Sequence, residues 1–173
     1  TAVPDASHYA TMRYATIFRI LEHLSLQPSD VLIDVGSGKG RLICLAARYK
    51  LREVIGVEMV PELCRVAEEN SRRMRGRKSP ITIYNMRAQE FDYSKGTVLT
   101  LFNPFGAETL SVVVDRIRAG LQRSPRPLRI AYANPEHDHV LAQCPWLDRY
   151  DEWLKGESGL EHGVTFYKSN SRL

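Results

Sequence analysis

The chain has 173 residues, 43% of them hydrophobic and 25% charged, with a formal net charge of +4. A chain of this size buries about 70% of the surface that its unfolded form exposes, so one domain over 1–173 is expected, with 1–28 as a helical lead-in and 29–173 as its body. No run approaches the roughly 20 apolar residues of a membrane-spanning helix and no secretory pattern opens the sequence, which excludes a membrane partner and points to the cytoplasm.

Tyr14, Ile17, Leu21 and Leu24 form an apolar stripe at helical spacing, and Pro28 and Asp30 separate that helix from the first strand. The strand Val31–Val35 is apolar except for Asp34, and it runs into Gly36 Ser37 Gly38 Lys39 Gly40 before apolar positions resume at helical spacing. Alternating glycines let the backbone turn tightly and lie against a ligand. Loops of this kind serve dinucleotides, nucleotide phosphates and S-adenosylmethionine. A dinucleotide fingerprint is G-x-G-x-x-G, whereas this loop is G-x-G-x-G with an acid two residues before it. A P-loop needs Ser or Thr after Gly-Lys to hold magnesium, and here Gly38 Lys39 is followed by Gly40 Arg41.

A second apolar strand, 54–58, ends in Glu58, eighteen positions after Gly40. A carboxylate there accepts hydrogen bonds from both hydroxyls of a ribose. Nicotinamide enzymes use an acid in the same place, so Glu58 leaves a NAD(P)-dependent oxidoreductase open. After Met59, Pro61 opens a helix whose Leu63, Val66 and Ala67 share one face. A third strand over 81–86 leads to Arg87 Ala88 Gln89 Glu90 Phe91. The fourth strand, Val98–Phe102, ends in Asn103 Pro104 Phe105 Gly106, and Leu110, Val113, Val114, Ile117 and Leu121 mark the following helix. The fifth strand, Arg129–Ala133, ends in Asn134 Pro135, which makes Tyr132 and Asn134 candidates for the opposite lip of one pocket. Two late strands, 149–154 and 163–168, flank a glycine-containing link. Strand and helix thus alternate five times before this hairpin, which predicts an α/β fold with a mostly parallel sheet covered on both faces.

Asp34 with the G-x-G-x-G loop, Glu58, and the Asn103 Pro104 Phe105 element resemble the class I S-adenosylmethionine-dependent methyltransferases over most of the chain. Asp34–Gly38 together with Phe102–Gly106 is also distantly similar to the non-SET protein lysine methyltransferases of the disruptor-of-telomeric-silencing type. The resemblance implies a Rossmann-like three-layer α/β/α sandwich, its seven-stranded sheet mostly parallel with the last strand antiparallel. It implies S-adenosylmethionine as cofactor, with Asp34 near its ammonium, Gly36, Ser37, Gly38 and Gly40 around its carboxylate, and Glu58 on its ribose. Met59, Ala88 and Gln89 fall at its adenine, with Arg87 standing where relatives usually carry an acid. Asn103 touches cofactor and acceptor alike, and Asn103, Pro104 and Phe105 form the catalytic set. In that set the Asn oxygen accepts a hydrogen bond from a target amine and the aromatic packs on it, although here the second proline is missing and the aromatic sits one place earlier. Tyr9 and Thr11 are lid candidates in the lead-in.

The expected reaction is methyl transfer to a nitrogen of a protein or nucleic acid, with a small-molecule acceptor also open. A NAD(P)-dependent oxidoreductase and a non-catalytic S-adenosylmethionine-binding regulatory subunit are the alternatives, and a partner subunit fits a chain that has no separate substrate domain. No metal is expected: His137 Asp138 His139 reads as the cap of a helix, and Cys44, Cys64 and Cys144 lack zinc spacing and read as buried free thiols of a reducing compartment. Arg72, Arg73, Arg75, Arg77 and Lys78 place five cations in seven positions. This run reads as a solvated loop, with nucleic-acid phosphates as its alternative contact.

Overall fold

The computed structural model describes residues 12–173, so Tyr9 and Thr11 lie outside the described residues. Seven strands form one sheet: β1 (Val31–Val35), β2 (Glu53–Glu58), β3 (Ile81–Asn85), β4 (Val98–Phe102), β5 (Arg129–Ala133), β6 (Leu147–Trp153) and β7 (Val164–Ser169). Their spatial order is β3-β2-β1-β4-β5-β7-β6. Strands β1 to β5 pair in parallel, and β7 inserts antiparallel to both β5 and β6. The expected architecture is therefore the one observed.

Every residue of β1 is buried, as a central strand covered on both faces requires. One core packs Ile33, Val35, Val57 and Leu101 against Leu110, Val113, Val114, Ile117 and Leu121 of α4 (Ala107–Arg123). The opposite core packs Leu32, Val54 and Val98 against Ile17, Ile20 and Leu21 of α1 (Tyr14–His23) and Leu42, Ile43 and Leu45 of α2 (Arg41–Ala46). Helix α3 (Pro61–Arg73) opens on proline at its first position, where the missing N–H goes unused.

Three details depart from the sequence reading. The strand and helix alternation fails after β3, where a single 3-10 turn, Ala88–Glu90, stands in place of a helix. Phe91 and Tyr93 fill that space, packing edge to face with ring centroids 5.1 Å apart, and the Tyr93 hydroxyl donates to the Ala88 carbonyl at 2.9 Å. Asp138 does not cap α5 (His139–Ala142) with its side chain. It accepts hydrogen bonds from Thr165 Oγ1 (2.8 Å) and Tyr167 OH (2.7 Å) and pairs with Arg149, tying this turn to the β6–β7 hairpin. Among the cysteines Cys64 is buried, whereas Cys44 and Cys144 are half-buried; all three are free, and burial pushes each thiol up. No cluster of His, Cys, Asp or Glu able to hold a metal occurs among the described residues, and none of their helices is long and apolar enough to cross a membrane.

Candidate functional site

The register of the parallel strands gathers the candidates at one edge of the sheet. Asp34 on β1 lies beside Gly56 on β2 and Thr100 on β4, and β1, β2 and β4 end at Val35, Glu58 and Phe102. The strand order reverses between β2-β1 and β4-β5, which opens the crevice where ligands of open α/β sheets bind.

The glycine loop is pinned beneath this crevice. Gly36 and Ser37 both donate their N–H groups to the Val57 carbonyl, at 2.8 and 3.1 Å. Gly38 N–H donates to Glu58 Oε2 at 3.0 Å, and Val60 N–H donates to Glu58 Oε1 at 2.9 Å. Glu58 is 7% exposed, so one buried carboxylate ties the loop to the start of α3 and keeps lone pairs beyond the two it uses for these amides. Asn85 Nδ2 donates to the carbonyls of Glu58 and Met59, at 3.1 and 3.0 Å, fixing the backbone beyond β2.

Gly36 has φ +77°, and a Cβ built there would lie 2.6 Å from Pro104 Cβ. The glycine loop and the Asn-Pro element therefore touch, although 66 residues separate Asn103 from Ser37 in sequence. At Gly40, φ +80°, a Cβ would meet Ala67 Cβ at 3.0 Å, so this glycine sets the approach of α3. Helix α2 has only six residues, too few to build much of a macrodipole at its start. The Ser37 hydroxyl packs beside β2, 2.7 Å from where a Cβ on Gly56 would lie. That hydroxyl is buried with no hydrogen-bond partner among the described residues, and a buried donor left in that state costs about 1–3 kcal/mol.

Asp34 is 6% exposed and accepts one hydrogen bond among the described residues, from Thr100 Oγ1 at 2.7 Å. Burial pushes its carboxyl up to about 7, with the nearby Glu58 charge adding to the rise. A buried carboxyl held by a single hydroxyl is a site that a cation relieves. Sequence reasoning missed Thr100, whose signal was its place as the one polar residue in an otherwise apolar strand.

Asn103 is 7% exposed at φ +37°. Its Oδ1 accepts a hydrogen bond from Tyr132 OH at 3.0 Å, and that hydroxyl in turn accepts His137 N–H at 3.4 Å. Burial pushes the Tyr132 phenol up, which keeps its proton in place for donation. A carbonyl oxygen has two lone pairs, so Asn103 Oδ1 can take one further donor. The structure thus joins Tyr132 to Asn103. Asn134 also has positive φ, +49°, but its amide turns to Glu136 Oε1 at 3.0 Å.

Phe105 is 8% exposed and packs in the core with Leu110 and Tyr132, whereas Phe102 is half-buried, with the His162 ring edge-on at 5.2 Å. A small hollow beside the ends of β5 and β7 is lined by Met12, Arg13, Thr16, Glu161 and His162. Of the adenine candidates, Met59 and Gln89 are half-buried and Ala88 is buried.

The chain is similar to known proteins. Residues 5–101 match the family described as Histone methylation protein DOT1. A protein-lysine N-methyltransferase of Saccharolobus islandicus is 29% identical over 110 residues, which is 63% of this chain and 64% of that protein. A histone-lysine N-methyltransferase, H3 lysine-79 specific, of Caenorhabditis elegans is 41% identical over 44 residues, which is 25% of this chain and 5% of that protein. The chain thus spans less than two thirds of the length of each of these relatives. Among solved structures, an RNA methyltransferase from Salinibacter ruber in complex with S-adenosyl-L-homocysteine superposes with a TM-score of 0.72 at 20% identity. That match covers 95% of this chain and 96% of the other, and it shows the shared fold.

Proposed function

The chain belongs to the DOT1 family of histone methylation proteins, and we propose that it is an S-adenosylmethionine-dependent methyltransferase acting on a nitrogen of a protein or nucleic acid. The observation that carries this reading is the buried Asp34, held by one hydrogen bond, facing a glycine loop that Glu58 ties down at the same sheet edge. Asp34 suits an ammonium, the unpartnered Ser37 hydroxyl suits a carboxylate, and Glu58 retains lone pairs for a ribose. A phosphate would be repelled by Asp34, whereas a zwitterionic amino acid would not. The antiparallel β7 also speaks against a nicotinamide enzyme, since dinucleotide folds continue in the order 3-2-1-4-5-6.

On this reading Asp34, Gly36, Ser37, Gly38 and Gly40 hold the methionine end, Glu58 the ribose, and Met59, Ala88 and Gln89 the adenine. When bound, the cofactor supplies a methyl group already activated by its sulfonium. Asn103 orients the acceptor nitrogen through the free lone pair of Oδ1 and its backbone, and Pro104 sets its place against Gly36. Phe105 supports this turn from the core side, and Phe102 is the half-buried aromatic beside it. Residues 1–173 act as one methyltransferase unit, with 1–28 as lead-in to the body at 29–173. The lead-in, the hollow at His162 or a partner subunit selects the acceptor. Three free cysteines agree with a reducing compartment, which we take to be the cytoplasm.

The test is transfer of tritiated methyl groups from S-adenosylmethionine into cell lysate, with products split by protease and by nuclease. Label is expected in one of these two fractions, and Asn103→Ala should lower transfer at least tenfold, a larger factor than its loss of S-adenosylhomocysteine affinity. Cofactor binding with no transfer to any fraction would favour the regulatory-subunit alternative.

Asp34 predicts a pH dependence. Its folded carboxyl titrates near 7 and its unfolded one near 4, so between these values the folded protein holds a proton that the unfolded chain has released. This term favours the fold at low pH and fades as pH rises through that window. Asp34→Asn should lack it, and its melting temperature should fall less than wild type between pH 5 and pH 8. An ammonium prefers the ionised carboxylate, so ligand affinity should rise across the same window in wild type and not in the variant. Parallel pH slopes in thermal melts and calorimetry would reject the assignment.

A further inference from the structure

We propose that the sheet edge opposite the site is a docking surface for the phosphate backbone of a double-stranded nucleic acid. This inference goes beyond the reading of the site and does not depend on it. The residues before β2 and those between α3 and β3 lie at the N-terminal ends of parallel strands, whereas the site lies at their C-terminal ends. These two segments are locked together. Lys78 and Ser79 both donate their N–H groups to the Ala47 carbonyl, at 2.7 and 3.1 Å. Ser79, 3% exposed, donates through Oγ to the Tyr49 carbonyl at 2.6 Å and accepts Leu51 N–H at 2.7 Å. Arg48 reaches across to Gly76, its Nε 3.5 Å from where a Cβ on that glycine would lie.

The joined segments, with the last turn of α3, expose Arg48, Lys50, Arg52, Arg72, Arg73, Arg75, Arg77 and Lys78. Only Arg73 has an acidic partner, Glu69 at 2.7 Å; the other seven form no ion pair among the described residues. Four other cations at the same end of the sheet are neutralised or used internally. Lys95 pairs with Glu53, Arg123 with Asp92 and Arg129 with Asp30, at 3.0, 2.9 and 2.6 Å, while Arg126 donates to the carbonyls of Gly96 and Ser124. Lys168, in register with Arg129, is exposed without an ion pair among the described residues, but it stands alone, whereas these two segments gather eight cations. Eight of the 24 basic residues sit here, leaving 16 against 20 acids in the rest of the chain. A protein whose remainder is net acidic concentrates its positive field at one place.

The chemistry of the patch selects the partner. Exposed, unpaired Arg and Lys side chains bind phosphates and release their counterions. Single strands need aromatic platforms for base stacking, and the one aromatic within the two segments, Tyr49, is only half-exposed. Membrane surfaces need apolar side chains to insert, and the exposed large hydrophobics Tyr14, Phe18, Val60, Val112, Tyr150 and Leu154 all lie elsewhere. A duplex held here lies across the sheet from Asn103, so it tethers the enzyme and is not itself the acceptor.

The experiment is fluorescence anisotropy of the full chain with a labelled DNA duplex over a salt series. Affinity should fall steeply with salt, the log–log slope changing by about 0.9 for each phosphate neutralised. The triple variant Arg75→Glu, Arg77→Glu, Lys78→Glu should weaken binding more than tenfold and flatten that slope by about three. Its melting temperature and its calorimetric titration with S-adenosylhomocysteine should match wild type. If that variant fails to fold, Lys50→Glu with Arg52→Glu on the other segment carries the test. Undiminished duplex binding by the folded variants, salt-insensitive binding, or tighter binding to phosphatidylserine vesicles or single strands than to the duplex would overturn the proposal. Loss of S-adenosylhomocysteine binding in wild type would instead count against the reading of the site.

Discussion

Gly36→Ala is expected to abolish measurable binding of S-adenosylhomocysteine and to lower stability by about 2–5 kcal/mol. Two costs combine. An L-residue at φ +77° leaves the comfortable region at about 1–2 kcal/mol. The new methyl would also stand 2.6 Å from Pro104 Cβ, and overpacking of this kind costs about 1–3 kcal/mol. Pro104 cannot withdraw freely, because its neighbour Asn103 is held at φ +37° with its amide on Tyr132. Relief must therefore come from the glycine loop, the Asn-Pro turn or both, and either shift disrupts the crevice. Gly156→Ala isolates the first cost: this glycine has φ +91° with nothing within 4 Å of an added Cβ. Chemical denaturation should show Gly156→Ala losing about 1–2 kcal/mol with ligand affinity intact. Equal stability losses in the two variants, or intact ligand binding in Gly36→Ala, would remove the contact between the two motifs from the account.

Glu58→Ala is expected to weaken S-adenosylhomocysteine binding by about 1.5–3 kcal/mol, roughly 10- to 150-fold. The carboxylate accepts the amides of Gly38 and Val60, so its loss leaves two donors without partners and loosens the loop as well as removing a ribose contact. Glu58→Gln separates these effects. Its Oε1 still serves one amide, but the other position becomes a donor facing a donor, so an affinity between wild type and Glu58→Ala is expected. Removing the Glu58 charge also removes part of what raises the Asp34 carboxyl, and the midpoint of the pH dependence should move below 7 in both variants. Calorimetry across pH reads both effects at once. An unchanged midpoint would mean that the two acids do not sense each other.

Much of this arrangement was legible in the sequence because it is written in local patterns. Apolar runs ended by Gly36, Glu58 and Asn103 marked three strand ends, and a parallel sheet has to bring such ends to one edge. The contacts that hold the edge together are long-range and left no local mark. Thr100 reaches Asp34 across 66 residues, Tyr132 reaches Asn103 across 29, and Gly36 meets Pro104 only through the register of β1 with β4. Tyr132 and Asn134 looked like equivalent lip residues, yet only the tyrosine, buried and inward on β5, joins Asn103. Between β3 and β4 helical expectation failed because two aromatic side chains, Phe91 and Tyr93, fill the layer that a helix would otherwise cover. Asp138 sat where a helix cap belongs, but hydroxyl donors from the distant β7 outcompeted the nearby amides. The cation run at 72–78 read as a loop by itself, and only the fold sets Arg48, Lys50 and Arg52 beside it.

The central claim is that Asp34, the loop at 36–40 and Glu58 form a cofactor corner for S-adenosylmethionine. Calorimetric titration of the wild-type chain with S-adenosylhomocysteine and, separately, with NAD tests it most directly. The account predicts saturable one-to-one binding of S-adenosylhomocysteine that Glu58→Ala weakens, and no heat from NAD. Saturable binding of NAD with none of S-adenosylhomocysteine would contradict it.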